Sequence, residues 1–149
     1  MGIEYAVHNE KSFDLLVEDL KAKKMPFVVD VISGERTLPQ NRLQHLMYAI
    51  IAKQLYGNDE SFAKRECKLR LGVPILRRDS DEFSDVYDKI IKPASYEDKL
   101  EMMRYISVTS LFDKSQGSEY IDKIFNEYPR NGVHWNDLVI SQVATMVKK

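Results

Sequence analysis

A β-branched run, Phe27-Val28-Val29-Asp30-Val31-Ile32, gives way almost at once to the start of a helix, and this junction constrains the fold more than any other part of the chain. β-Branched residues favour extended backbone, and Ser33-Gly34 supplies a turn behind them. Thr37 with Gln40 three positions on has capping-box spacing, and Pro39 suits a first helical turn, where its missing N–H is no loss. Leu43, Leu46, Met47, Ile50, Ile51 and Leu55 then recur at helical spacing, as a stripe facing a core. Strand, turn and amphipathic helix in succession predict an α+β chain.

The remaining segments fit that class, with few strands and several helices. Ile3 to Val7 reads as a short strand, and Ser12 as the cap of a helix carrying Phe13, Leu15, Leu16, Val17 and Leu20. Gly57-Asn58 stops the helix that began near Leu38, and Asp59 caps a basic one ending at Gly72. Val73-Pro74-Ile75-Leu76 and Tyr105 to Ser110 read as extended. Ser80 to Lys92 reads as an acidic helix with Phe83, Val86, Tyr87, Ile90 and Ile91 inward, and Pro93 closes it. Helices from Ser95 to about Arg104, from Lys114 to Tyr128 and from Asn136 onward complete the pattern. With 149 residues, 44% of them hydrophobic, and no linker or repeat, one domain over residues 1–149 is expected.

Several function classes are disfavoured. The apolar stretches fall well short of a membrane span, and Met1 to Val7 has no basic region before a long apolar core, so the protein is expected to stay in the cytoplasm where it is made. The single cysteine, Cys67, excludes an internal disulfide and a cysteine-rich zinc module. His8, His45 and His134 lack the paired spacing of zinc ligands, so neither a metal nor another cofactor is expected. Asp79, Asp81, Glu82, Asp85 and Asp88 lack calcium-loop spacing and suit a solvated helix face.

The net charge of −1 conceals segregation. Residues 36–78 carry 9 basic and 3 acidic side chains, whereas residues 79–101 carry 3 basic and 8 acidic. A near-neutral protein binds a polyanion if its cations share one surface, although blocks in sequence also interleave in space and cancel. Arg36 and Arg42 flank the helix start with the side-chain amides of Gln40 and Asn41 between them. Free N–H groups at a helix start and adjacent guanidiniums favour phosphate. Lys53, Lys64 and Lys68 extend the positive charge, and Tyr48 lies on the polar side of the helix as a residue on which a base stacks. Gln40 also has a local reading, in which it only fixes the helix start.

The segment Gly34-Glu35-Arg36-Thr37-Leu38-Pro39-Gln40-Asn41-Arg42 resembles an element of the Orf/NinB recombination proteins of lambda-like bacteriophages. Asp59-Glu60-Ser61-Phe62, Val73-Pro74-Ile75-Leu76, Val108-Thr109-Ser110, Ser118-Glu119-Tyr120-Ile121 and Gly132-Val133-His134-Trp135 are similar to later parts of that family, in its order. The resemblance implies a small α+β homodimer that binds single-stranded DNA, contacts the host single-strand binding protein and helps a recombinase load on coated DNA in the host cytoplasm. It also implies a DNA contact at Gln40. Leu111 departs from the family's pattern, which has a basic residue shortly after the Thr-Ser pair, and His45 stands where the family has an aromatic.

The reading that follows is a non-enzymatic recombination mediator with Arg36, Gln40, Asn41, Arg42, Tyr48, Lys53, Lys64 and Lys68 at its DNA surface. Two rivals differ in kind. Asp30 with Glu66-Cys67-Lys68 imitates the acid and E-x-K arrangement of magnesium-dependent nucleases, which needs E-x-K on a strand beside the acid. An adaptor that does not touch DNA would instead use the acidic segment 79–101 against a basic partner.

Overall fold

The computed structural model describes residues 7, 9–27, 29 and 38–147. Among these residues there is no strand, so the expected α+β class is corrected to an all-helical arrangement. The expected strands at Ile3–Val7 and Phe27–Ile32 lie largely outside the described residues, as does Arg36. The chain divides into two compact units, Pro39–Trp135 and Met1–Leu38 with Asn136–Lys149.

The smaller unit contains α1, Glu10–Ala22, and α8, Asp137–Val147. Asn9, rather than Ser12, caps α1: its side chain accepts the Ser12 N–H at 2.8 Å, and Ser12 Oγ accepts the Asn9 N–H at 3.1 Å. This reciprocal pairing satisfies two donors at once and starts the helix earlier than expected. Asn136 Oδ1 accepts the Val139 N–H at the start of α8. Further along α8, the buried Gln142 accepts the Leu38 N–H at 2.7 Å.

The larger unit is built around α2, Gln40–Leu55. Leu43, Met47 and Ile51 form one buried row along it, and Gln44, Tyr48 and Ala52 form the adjacent row. Two rows are covered because α2 packs against both α3, Glu60–Cys67, and α7, Lys114–Glu127. Tyr48 is therefore 1% exposed, with its hydroxyl 2.7 Å from that of Tyr120, and the expected base-stacking face is core. Gly57 and Asn58 take positive φ after α2, and Asp59 Oδ1 caps α3 by accepting the Phe62 N–H, as its position between the two helices suggests.

Gly72 does not end the basic helix, nor is Val73–Leu76 extended. From α3 a π turn, Lys68–Gly72, runs directly into α4, Val73–Asp79. Pro74 lacks an N–H and its ring collides with the carbonyl one turn back, and the wider π turn just before it relieves both problems. A second π turn, Tyr87–Ile91, continues α5, Asp81–Val86. The added residue per turn brings Ile91 into phase with Phe83 and Tyr87 and rotates Val86 and Ile90 outward, to 50% and 63% exposure. These two were expected to face inward. Ser95 caps α6, Tyr96–Met102, and the stretch after it is a turn and a short 3-10 helix, Thr109–Leu111, in place of an extended segment. A Cβ on Gly72 would stand 2.8 Å from Val108 Cγ1, so the glycine lets this stretch pack closely on the π turn.

Candidate nucleic-acid interface

At the start of α2 the residue in the N-cap position is Pro39, not Thr37, and it has no side-chain cap. Asn41 turns back to accept the Arg42 N–H at 2.9 Å, which occupies one of the free donors of the first turn. Gln40 looks away from solvent. Its Nε2 donates to Lys114 O at 2.9 Å and to Ser118 Oγ at 3.0 Å, so both amide hydrogens are used within the protein. Gly117 makes room for this: a Cβ there would lie 2.1 Å from Gln40 Oε1. Gln40 thus fastens α2 to α7 across the core, which is neither the local capping role nor an outward-facing donor.

This clasp predicts a reversal of sign. Gln40→Ala loses two hydrogen bonds and should cost about 1–2 kcal/mol. Gly117→Ala in the native background displaces the Gln40 side chain and should also destabilise. With Gln40→Ala already present, the same methyl enters open space inside a helix and should stabilise by about 0.5–1 kcal/mol. Urea unfolding of the four proteins measures the coupling, and simple additivity would mean that the amide and the glycine do not depend on each other.

Among the described residues the basic block does not form one continuous patch, because acids interleave with it. Arg65 lies 3.4 Å from Glu101, Arg70 lies 3.5 Å from Glu127, and Arg77 pairs with Asp88. Arg78 lies 2.7 Å from both Asp79 and Glu119, which holds the Asp79 and Glu119 carboxyls below their usual range. Three of these partners, Asp79, Asp88 and Glu101, belong to the acidic stretch expected to be a separate surface.

What remains positive is local. Lys64 on α3 and Lys68 on the π turn meet residues 104–110 in an open groove of about 240 Å³. Lys68 is 7% exposed, and its Nζ donates to Met103 O at 2.6 Å and Ile106 O at 2.8 Å. Bonds this short suit a charged donor. Burial pushes the Lys68 ammonium down from its ordinary range, and repulsion from Lys64 acts in the same direction. No carboxylate among the described residues pairs with either lysine. Arg104 shares the Glu101 carboxylate with Arg65, at 2.7 Å and 3.4 Å respectively. One acid therefore serves two guanidiniums while two ammoniums have none. Tyr105, 84% exposed, stands beside these cations.

Of the expected contact residues, Lys64 and Lys68 line the groove, but Gln40, Asn41, Arg42, Tyr48 and Lys53 do not. Lys53 is exposed in the last turn of α2, where a cation complements the helix dipole, and Arg42 is half-buried on the first turn. Sequence reading missed Arg104, Tyr105, Ser107, Thr109 and Ser110. Their signal was an arginine and an aromatic followed closely by three hydroxyl residues.

The nuclease arrangement does not assemble in the part described. Asp30 lies outside the described residues, and Glu66 and Lys68 sit on one helical run with different partners. Glu66 Oε1 accepts from the hydroxyls of Tyr56 at 2.6 Å and Tyr128 at 2.8 Å, whereas Lys68 is held by carbonyls. Among the described residues no three His, Cys, Asp or Glu side chains gather as metal ligands. Cys67 is buried, with its thiol pushed up to about 12 by loss of solvent. No helix among the described residues is long and apolar enough to cross a membrane. No protein-family model matches the chain, and no curated protein or solved structure matches it.

Proposed function

We propose that this protein binds single-stranded DNA through the groove formed by Lys64, Lys68 and residues 104–110, as a recombination mediator of the Orf/NinB type. The observation that carries the reading is the buried Lys68 ammonium, which has two carbonyl acceptors and no carboxylate partner among the described residues, on the wall of an open groove. A charge so placed lacks a counter-ion, and a phosphate supplies one. Tyr105 favours a single strand over a duplex, because only an unpaired base offers it a free face. Thr109 and Ser110 on the groove also belong to the series of segments that resembles the phage family. Contact with the host single-strand binding protein and assistance to a recombinase follow from that resemblance. A homodimer would present two grooves to one strand and raise affinity without new contacts.

Fluorescence anisotropy with labelled oligonucleotides tests this. Single strands should bind more tightly than duplexes of the same length, with a log–log salt slope of about −0.7 per phosphate neutralised. Lys64→Ala and Arg104→Ala should each flatten that slope. Tyr105→Ala should weaken binding by roughly 1–3 kcal/mol with the slope unchanged. Equal binding of duplex and single strand, or indifference to all three substitutions, would remove the proposal.

A further inference from the structure

The donor groups around the groove outnumber the two free oxygens of an internal phosphate of a DNA strand. Lys64 brings an ammonium without a carboxylate partner, and Lys68 has one N–H left after its two carbonyl bonds. Ser107, Thr109 and Ser110 add three hydroxyls, none of which has a hydrogen-bond partner among the described residues. An internal phosphodiester carries one negative charge and two free oxygens. A terminal phosphate monoester carries close to two charges at neutral pH and three free oxygens. Two ammoniums with no counter-ion match the second ligand in charge, and the hydroxyls match it in number of acceptors.

We infer that the groove is an end-binding site, which takes the terminal phosphate of a single strand in preference to an internal one. The inference rests on the single-strand reading above and names the part of the strand that is recognised. Tyr105 is the surface on which the terminal base stacks while the phosphate lies between Lys64 and Lys68. The groups facing that phosphate are Lys64, Lys68 and Arg104, with Glu101 neutralised by Arg104 and Arg65. Among the described residues no histidine lines the groove, and a fall in pH can only add protons to Lys68, whose ammonium burial pushes down, so affinity lost on acidification reports the ligand.

The experiment compares one oligonucleotide in three forms: 5′-phosphorylated, 3′-phosphorylated and without a terminal phosphate. At pH 7.5 (within about two units of the phosphate's second pKa near 6), one phosphorylated form should bind about tenfold more tightly than the bare one. That advantage should fade as pH falls through about 6, where the monoester becomes a monoanion. Lys64→Ala and Lys68→Met, the latter with folding checked by circular dichroism, should each weaken the phosphorylated form more than the bare strand and narrow the gap between them to within about twofold. If all three forms bind alike with single strands still preferred, the end-binding inference is overturned and the single-strand reading survives. A phosphate advantage that persists in both lysine variants also overturns it, since the recognition then lies elsewhere. Absence of binding in every form defeats both.

Discussion

Raising the pH from 9 to 11 is expected to remove most of this protein's folding stability. The cause is a set of buried acids that ionise only when the chain opens. Tyr48, Tyr120, Tyr128 and Cys67 are all at most 1% exposed. Burial is the largest influence on each of them, raising the three phenols well above their ordinary value of 10.0 and the thiol from 9.0 to about 12. The sign follows from proton binding. Above pH 9 to 10 the unfolded chain releases these protons and the native state keeps them, so ionisation favours the unfolded state as pH rises. At pH 11 each phenol withdraws about 1.4 kcal/mol and the thiol about 3, roughly 7 kcal/mol in all. That is comparable to the whole stability of a typical small protein, about 5–15 kcal/mol. Lys68 works in the other direction, because its folded value is lowered and its penalty is relieved as pH rises toward 10.5, but it is one group against four. Urea unfolding at several pH values should show a plateau to about pH 9 and a steep fall beyond it. Phenolate absorbance should rise in two phases, the later one coinciding with loss of helical signal. A single phase with no loss of structure would mean that these phenols reach solvent without unfolding.

Local chemistry decides some of the helix ends, although Asn9 and Pro39 stand at the starts where Ser12 and Thr37 were expected. Asp59 and Ser95 each accept a backbone N–H three residues ahead, so the cap signal and the observed cap coincide. The apolar row Leu43, Met47 and Ile51 was equally open to reading, because α2 buries what its period marks. Other errors arose within a continuous helix or where a distant element decided the outcome. Val73 and Ile75 have extended preferences, yet they lie in a continuous helix whose π turn accommodates Pro74. Tyr48 looks amphipathic in sequence and becomes core because Tyr120, far along the chain, supplies the partner for its hydroxyl.

The site follows the same logic. Lys64 and Lys68 were identifiable as cations on a basic helix, but nothing adjacent in sequence shows that Lys68 turns inward to the carbonyls of Met103 and Ile106. Gln40 was identifiable as a purposeful amide at a helix start, and its purpose depends on Gly117 leaving a space for it. The charge blocks were real in sequence, but pairs such as Arg78 with Glu119 and Arg65 with Glu101 interleave them. A surface potential is set by partners in space, and for most of these arginines the partner is tens of residues away.

Removing the Glu66 side chain should be among the most damaging single changes in the larger unit, and it separates a structural carboxyl from a catalytic one. Glu66 is 8% exposed and one of its oxygens accepts from both Tyr56 and Tyr128. The Tyr128 hydroxyl in turn accepts from the Cys67 thiol at 3.4 Å. Glu66→Ala leaves two hydroxyls without their acceptor, at about 1–3 kcal/mol for each one that stays buried, and adds a small cavity. A total loss of about 3–5 kcal/mol is expected by urea or thermal unfolding, enough to unfold a marginal protein at 37 °C (a temperature near the foot of a typical transition). Glu66→Gln keeps a carbonyl oxygen where the two hydroxyls need one and should recover all but about 1–2 kcal/mol. The functional consequence is the sharper half of the prediction. Glu66→Gln should bind single-stranded oligonucleotides with the native affinity and salt slope, because Glu66 is occupied by two tyrosines and does not line the groove. If Mg²⁺-dependent strand cleavage were detected in the native protein and lost in folded Glu66→Gln, the carboxyl would be a metal ligand and the nuclease reading would displace the binding one. Retained binding with no cleavage by either protein leaves Glu66 as the acceptor that holds the hydroxyls of the half-buried Tyr56 and the buried Tyr128.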